Sequence, residues 1–375
     1  MAKKISKRKS MRRAKIATES VISAVIVALG AYGIVSSVKR AAPVPASPYV
    51  INAAGDSENP LDVPVEDPDL NKTIYESVPV STKDKFKGNL ILVNSDYQYF
   101  GGDEVLVNIV EKNTEEGIDC FAGNDNTTSV RDIFYEALKN MLVDFNTATT
   151  YNDIIIEGGY RTVEEQKALY DEDLANTGLD YSERVALPGH SEHESGYAVD
   201  FTTSTEWNYD GTGEYDWINQ NCWKYGIILR YPENKTDITK IQYEPWHYRY
   251  VGIPHAYYMY KNGICLEEYI DLLRNYTYES EHLTFTDDNG TGYELYFVPS
   301  DDGADNTFVP VPNGLDYEIS GNNCDGFIVT VYTPAEEQPT TEAATQEQSD
   351  AEADEAPTDG ENDGDASQEA VPDAA

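Results

Sequence analysis

Two short stretches of the sequence carry most of the residues that could bind a metal ion or move a proton. The first, P-G-H-S-E-H-E-S-G-Y-A-V-D, spans residues 188–200, and the second, Y-E-P-W-H-Y-R-Y-V-G, spans residues 243–252. They contain three of the five histidines of the chain. Two imidazoles and one carboxylate can occupy three corners of a tetrahedral Zn²⁺ and leave the fourth to water, which is the arrangement of a catalytic zinc site.

The candidate ligands in these stretches are His193, Asp200 and His247. Side chains alternate between the two faces of a straight strand, so positions 193 and 200 would point to opposite sides. The chain must therefore turn between them, and Gly196 permits a turn because glycine adopts conformations that other residues avoid. His247 would reach the same site from a separate strand.

The two stretches together carry a family pattern. S-E-H-x-x-G-x-A-x-D, followed by E-P-W-H-x-R-Y-V-G with its histidine 47 residues after the aspartate, resembles the VanY-type D-alanyl-D-alanine carboxypeptidases of the LAS zinc peptidase group. The resemblance covers residues 85–275. It implies an α+β fold of the hedgehog/DD-peptidase type, with a small antiparallel sheet flanked by helices.

The resemblance also implies a metal and a base. It makes His193, Asp200 and His247 the ligands of one Zn²⁺ per domain and Glu244 the catalytic base. Zinc lowers the pKa of a bound water from 15.7 to about 7, so a carboxylate beside it can take a proton as the water attacks a peptide carbonyl. Tyr248 or a backbone carbonyl would orient a ligand imidazole.

Further residues are expected around the substrate. The arginine of the family's G-Y-R segment is Arg161, which would neutralise an oxyanion or grip a carboxylate, or else form a structural salt bridge. Gln166 and Ser191 match family positions that line the substrate pocket, and Trp246 is expected to pack in the core as a wall of the cleft. Lys240 departs from the family, since many relatives have glycine there.

Several polar neighbours of these motifs have simpler interpretations. His190 could compete as a ligand, but it precedes the turn and is not expected to bind the metal. His255 and His282 are predicted to be surface residues. Glu192 and Glu194 are predicted to be solvated neighbours of the ligand.

Hydrophobic periodicity predicts the elements that position these residues. Apolar residues at i, i+3, i+4 and i+7 predict a helix over 128–147, and Thr162 with Glu165 forms a capping box at the start of a helix that ends near Gly178. Further strands are predicted at 154–156, 197–201 and 247–251, a further helix at 214–225, and one or two helices at 254–273. Arg161 then lies at a strand-to-helix corner. This mixture indicates the α+β class.

Composition divides the rest of the chain. Residues 41–84 are rich in proline and acids and are predicted to be a disordered linker. In residues 283–333 apolar and polar residues alternate, and valine, tyrosine and phenylalanine are frequent, which predicts a small accessory β unit. Residues 334–375 contain 14 Asp and Glu, no Lys or Arg and no aromatic residue, so a disordered acidic tail is expected.

The N-terminus has the pattern of a membrane anchor. Residues 1–19 are basic, and Ser20–Val38 is a run of 19 residues without a charge, close to the length that spans a bilayer. The positive-inside bias places the N-terminus in the cytoplasm and the catalytic domain outside the cell. A cleaved signal peptide ending at Val44-Pro45-Ala46 is the alternative, against which the charges of Lys39 and Arg40 argue.

Charge and cysteine content limit the partners and the chemistry. The 375 residues carry a net charge of −40, which excludes a nucleic acid as the default partner. The four cysteines show no C-x-x-C pairing, so a thiolate zinc site is not expected. Outside the cell they allow three disulfide pairings, and buried free thiols are an equal alternative. These cysteines are Cys120, Cys222, Cys265 and Cys324.

The sequence therefore favours a membrane-anchored zinc carboxypeptidase that removes the terminal D-Ala from peptidoglycan stem peptides. An endopeptidase that cuts within the stem peptide is a close alternative. A non-catalytic cell-wall binding module is a second class, and the complete set of ligands together with Glu244 argues against it.

Overall fold

The computed structural model of the protein describes residues 73–101, 105–182 and 184–333. All of them fall within one compact unit, Asp69–Ala375. The predicted basic segment and anchor, most of the predicted linker and the predicted acidic tail lie outside the described residues. Among the helices that are described, none is both long and apolar enough to cross a bilayer.

A five-stranded sheet forms the centre of the unit, in the order β3-β5-β6-β8-β7. Its strands are β3 (Phe121–Gly123), β5 (Ile154–Gly158), β6 (Ala198–Thr203), β7 (Ile227–Leu229) and β8 (His247–Tyr250). All neighbours are antiparallel except β3 and β5, so the sheet predicted to be antiparallel is mixed at one edge. The α+β class is confirmed.

The longest of the described helices packs against this sheet. Helix α2 (Asp132–Thr149) buries its apolar stripe, as the periodicity predicts; the stripe includes Phe134, Leu138, Met141, Leu142 and Phe145. The predicted helix began four residues too early, because Ser129–Arg131 forms strand β4 and pairs with β2 (Leu106–Asn108). Helix α1 (Ile109–Glu116) lies between β2 and β3.

Helix α3 (Val163–Thr177) has the predicted ends. The side chain of Thr162 accepts a hydrogen bond from the backbone N–H of Glu165, and the side chain of Glu165 accepts one from the backbone N–H of Thr162. The capping box is therefore confirmed. The helix ends at Gly178, which has φ of 72°. The end of β5 and the start of α3 therefore fix the corner that carries Arg161.

The two remaining helical segments have different outcomes. The segment 214–225 divides into two 3-10 turns around α4 (Asp216–Asn221), because the backbone leaves helical geometry at Asn221. The segment 254–273, predicted to form one or two helices, forms two, α6 (Ile253–Asn262) and α7 (Leu266–Leu273). Helix α5 (Thr236–Thr239) ends at Lys240, which has φ of 61°. Glycine adopts this conformation without strain, so the position where lysine replaces the glycine of many relatives is a left-handed turn.

Residues 283–333 form the predicted strands. They are β9 (Leu283–Thr286), β10 (Gly292–Pro299), β11 (Asn306–Pro312), β12 (Asp316–Gly321) and β13 (Gly326–Thr333). Strands β12-β13-β10-β9 form one antiparallel sheet. Strand β11 instead pairs with β1 (Tyr75–Ser81), which lies inside the segment predicted to be a disordered linker.

The linker prediction is therefore wrong from residue 75 onward. In Y-E-S-V-P-V-S, the three apolar residues Tyr75, Val78 and Val80 are partly buried and pack against the cluster that contains Val309 and Val311. Proline is tolerated on an edge strand, so Pro79 does not prevent the pairing. The strand has no strict alternation of apolar and polar residues, so proline and acid content alone predicted a linker here.

The β strands of 283–333 also share a core with the helices before them. Leu295, Phe297 and Ile328 belong to the same buried apolar cluster as Met259 and Tyr269. The predicted boundary between an 85–275 domain and an accessory unit does not separate two cores. All four cysteines are free, and Cys120, Cys222 and Cys265 are buried.

Candidate metal centre and active site

The chain turns between the first two candidate ligands as the spacing requires. His193 lies in a 3-10 helix, Glu192–Ser195, which ends at Gly196 with φ of 72°. The backbone N–H of Gly196 donates to the carbonyl of His193 at 3.1 Å, and the chain then enters β6, which carries Asp200. An L residue at position 196 would be strained in this conformation.

Three side chains meet at the centre of the sheet. His193, Asp200 and His247 each offer one ligand atom, and these atoms lie within 4.8 Å of one another. The Nε2 of His193 is 3.3 Å from one carboxylate oxygen of Asp200, and the Nδ1 of His247 is 3.1 Å from the other. Strands β6 and β8 pair Asp200 directly with His247, so the sheet register brings these two ligands together.

Each imidazole is fixed through the nitrogen that does not face the cluster. The Nδ1 of His193 lies 2.8 Å from the carbonyl of Gly159, and the Nε2 of His247 lies 3.2 Å from a carboxylate oxygen of Glu192. A hydrogen bond at one ring nitrogen leaves the other with a lone pair for a metal. The residues therefore fit a zinc ion, with His193 offering Nε2 and His247 offering Nδ1.

The predicted backbone carbonyl orients His193, and Tyr248 has another role. The Tyr248 hydroxyl donates to the side-chain oxygen of Asn219 at 2.7 Å and lies 2.9 Å from the hydroxyl of Tyr209. Tyr248 thus belongs to a buried polar group beneath α4.

The electrostatics of the cluster favour a cation. Burial lowers the pKa of His193, which keeps that imidazole neutral. For His247 burial acts in the same direction, but the hydrogen bonds to Asp200 and Glu192 outweigh it and raise the pKa to about 9. Burial acts to raise the pKa of Asp200, yet the two imidazoles hold it well below its usual range. The carboxylate thus stays charged and attracts positive charge.

Gly158 has no side chain, and this leaves room for the side chains of two ligands. A Cβ at this position would lie 2.8 Å from an Asp200 carboxylate oxygen and 3.2 Å from Cε1 of His193. The register between β5 and β6 shifts between Ile156 and Gly158, which brings the strand end close to the ligands. No side chain can be added here without moving a ligand.

We expect Gly158→Ala to weaken zinc binding by at least about 10-fold, because a displaced ligand loses its alignment. Competition with a chromophoric chelator would measure the zinc affinity. Gly303→Ala is the matched control, since a Cβ there meets Asp301 at an ordinary 3.4 Å. Equal zinc affinities of the two variants would contradict the role of Gly158.

Glu244 lies beside the cluster but outside it. One of its carboxylate oxygens is 3.8 Å from the Nδ1 of His247, and its side chain is 21% exposed. Burial raises the pKa of Glu244 to about 7, His247 opposes this shift, and Asp200 reinforces it. A carboxyl group with a pKa near the working pH can both accept and return a proton.

Arg161 and Gln166 form one unit at the strand-to-helix corner. The backbone N–H of Arg161 donates to the carbonyl of His193 at 3.2 Å, and its guanidinium donates to the side-chain oxygen of Gln166 at 2.7 Å. The amide of Gln166 in turn donates to the carbonyl of Ala186 at 2.7 Å, and its side chain is buried. Gln166 therefore orients Arg161, and its contact with a substrate stays a prediction.

Ser191 and Trp246 lie within two residues of a ligand in the sequence, and the role of each at the substrate stays a prediction. Ser191 is buried, and its carbonyl accepts the N–H of Glu194 at 3.1 Å. Trp246 is 39% exposed, so the expectation that it packs in the core is wrong. Its position between Glu244 and His247 suits a wall of an open cleft.

Four predictions about polar neighbours are wrong. Glu192 and Glu194 are buried, as is His255, whose ring bonds the hydroxyl of Tyr269. His282 is largely covered and pairs with Glu294. Sequence reasoning treated these residues singly, whereas Glu192 bonds Arg230 and Arg249, and His255 also lies 3.3 Å from the hydroxyl of Thr330, all far along the chain. His190 bonds a backbone carbonyl and is not in the cluster, as expected.

A further signal was available for Glu192. Arg249 follows His247 by two residues in β8 and so lies on the same face of the strand. A buried arginine needs a buried acid, and Glu192 meets that need.

Comparison with known proteins shows several relatives. The family model described as VanY, D-alanyl-D-alanine carboxypeptidase, matches residues 127–253, a range that includes all the candidate site residues. The D-alanyl-D-alanine carboxypeptidase of Enterococcus faecium is 39% identical over 255 residues, which cover 68% of this chain and 78% of the relative. The bifunctional D-Ala-D-Ala dipeptidase and D-Ala-D-Ala carboxypeptidase VanXYC of Enterococcus gallinarum is 43% identical over 129 residues, which cover 32% of this chain and 68% of the relative.

A solved structure extends the likeness to the fold. The vancomycin resistance D,D-dipeptidase VanXYg, in complex with a D-Ala-D-Ala phosphinate analogue, superposes with a TM-score of 0.60 at 31% identity. The match covers 69% of this chain and 100% of that structure.

Proposed function

Since the chain belongs to the VanY family of D-alanyl-D-alanine carboxypeptidases, we propose that it hydrolyses the terminal D-Ala of peptidoglycan stem peptides with one zinc ion bound by His193, Asp200 and His247. The observation that carries this proposal is the meeting of three ligand atoms within 4.8 Å, with Glu244 beside them. When bound, zinc would act as a Lewis acid that activates a water and polarises the peptide carbonyl.

The protein's own residues would supply the rest of the chemistry. Glu244 would take the proton of the attacking water and return it to the leaving amine, a role supported by its partly buried carboxyl next to His247. Arg161 would bind either the developing oxyanion or the terminal carboxylate of the peptide. Trp246 would form an exposed wall of the cleft.

The proposal is tested on the full chain in detergent with a pentapeptide that ends in D-Ala-D-Ala. Mass spectrometry of the products is expected to show loss of one alanine, and a chelator is expected to abolish it. Added Zn²⁺ should restore the activity, because a chelator removes the ion and leaves the ligand residues His193, Asp200 and His247 chemically unchanged.

Two other results would overturn this proposal. A cut inside the stem peptide would indicate an endopeptidase. No cut by a protein that binds zinc would indicate a wall-binding module that retains the fold.

The location of the enzyme is a separate proposal, which rests on the sequence alone. Ser20–Val38 would anchor the chain, with the basic residues before it in the cytoplasm and the catalytic unit outside the cell. Labelling of an introduced cysteine at an exposed position such as Thr205 by an impermeant maleimide in intact cells is the measurement, with Glu244→Gln as the background if activity harms the cells. Labelling only after lysis would contradict the proposal.

A further inference from the structure

A buried charged network contacts the candidate metal centre through His247. Glu192 accepts from Nε of Arg230 at 2.8 Å and from a terminal nitrogen of Arg249 at 2.6 Å. Arg230 also forms a bidentate pair with Glu267, at 2.9 and 2.6 Å. The side chains of Glu192, Arg230 and Arg249 have no exposed surface.

The two carboxylate oxygens of Glu192 have different partners. Both arginines bond Oε1, whereas Oε2 lies 3.2 Å from Nε2 of His247. A carboxylate that served only to neutralise the arginines could use both oxygens for them. The orientation seen here directs one oxygen to the imidazole whose other nitrogen, Nδ1, faces the metal cluster.

The network also prevents Glu192 from rotating. Arg230 is fixed on its far side by Glu267, and Arg249 donates to the backbone carbonyls of Asn89 and Ile91 at 3.0 and 2.9 Å. The two arginines and two glutamates balance in charge, which makes their burial tolerable. Oε2 of Glu192 is thus a fixed acceptor rather than a mobile side-chain end.

We infer that Glu192 is a positioning residue that fixes the orientation and tautomer of His247 and thereby sets the zinc affinity of the site. This inference rests on the proposed function only in taking His247 as a zinc ligand. Acceptors of this kind on ligand histidines commonly change metal affinity by about 10–100-fold when they are lost.

The test compares Glu192→Gln with Glu267→Gln in the full-length protein. Both variants remove one negative charge from the same buried network and leave Arg230 undercompensated, but only the first touches His247. We expect Glu192→Gln to weaken zinc binding by about 10–100-fold and Glu267→Gln by less than about 3-fold. Chelator competition gives the affinities, and the melting temperatures of the metal-free proteins report the loss of stability separately.

A measurement on the wild-type protein does not depend on whether a variant folds. In the zinc-loaded protein, nitrogen and proton NMR should place a slowly exchanging proton on Nε2 of His247 and none on Nδ1. The opposite tautomer would overturn the inference. Glu192→Asp, which keeps the charge but shortens the side chain, should restore part of the affinity lost in Glu192→Gln.

The outcomes separate this inference from the proposed function. If the wild-type protein does not bind zinc, the proposed function and the inference both fail. If it binds zinc and the two glutamine variants weaken binding equally, Glu192 acts only through the stability of the network, and the inference alone is overturned.

Discussion

Replacing Glu244 by glutamine is expected to lower kcat by about 10²–10⁴-fold, the range that general acid–base catalysis supplies. The amide has nearly the shape of the carboxyl group but cannot take up the proton of an attacking water. Because Glu244 lies 3.8 Å from His247 and outside the three-residue cluster, the zinc content should not change. KM should change little, since the substitution removes a group that acts in the transition state.

The measurement is a steady-state assay with a peptide that ends in D-Ala-D-Ala, together with the zinc content of each preparation. Glu233→Gln is the matched control, because Glu233 is an exposed carboxylate in the same part of the chain and is not in the ligand cluster. It should retain full activity.

Two results would count against Glu244 as the base. A variant that kept more than a tenth of the wild-type kcat would show that another group moves the proton. A variant that lost its zinc would show that Glu244 is needed to bind the metal.

The sequence predicted those parts of the structure that depend on local rules. The capping box of Thr162 and Glu165, the stop at Gly178 and the turn at Gly196 each follow from the conformations that a few neighbouring residues can adopt. The apolar stripe of α2 follows from periodicity in the same way.

The parts that sequence reasoning missed depend on partners far apart in the chain. Glu192 was predicted to be solvated because a lone glutamate usually is, and only the fold brings Arg230 and Arg249 to it. Strand β1 was predicted to be linker, because its few apolar residues stand among polar residues and a proline. Only its pairing with β11, more than 200 residues later, shows that it is a strand. His255 was predicted to be a surface residue, and the fold buries it between Tyr269 and the distant Thr330.

The site itself lies between these cases. The motifs indicate which residues meet, but they do not say that His193 faces the cluster with Nε2 and His247 with Nδ1. That difference arises because the carbonyl of Gly159 and the carboxylate of Glu192 occupy the other nitrogens. The sequence motifs predict which residues are ligands, and the hydrogen-bond partners of the two imidazoles determine which nitrogen of each ring faces the cluster.

We expect Arg161→Lys to lower kcat/KM by about 10²–10³-fold, comparable to the loss of one donor to a developing oxyanion. Arg161 presents a planar guanidinium that Gln166 orients through a 2.7 Å hydrogen bond, and a lysine ammonium cannot form the same fork. Zinc affinity should be unchanged, because Arg161 is not in the ligand cluster. Lys167→Arg, at an exposed position of α3, is the control for a change of cation on the same corner.

A pair of substrates then distinguishes the two roles that Arg161 can have. If it grips the terminal carboxylate, the wild-type enzyme should prefer a peptide with a free C-terminus over the same peptide with a C-terminal amide, and Arg161→Lys should lose most of that preference. If it stabilises the oxyanion, the substitution should slow both substrates by the same factor, because the attacked carbonyl is common to both. Activity within threefold of wild type on both peptides would exclude both roles and leave Arg161 as a structural partner of Gln166. The outcome also bears on specificity, since an enzyme that reads the free carboxylate acts at a chain end, whereas one that uses Arg161 only for the oxyanion must exclude internal bonds by the shape of its cleft.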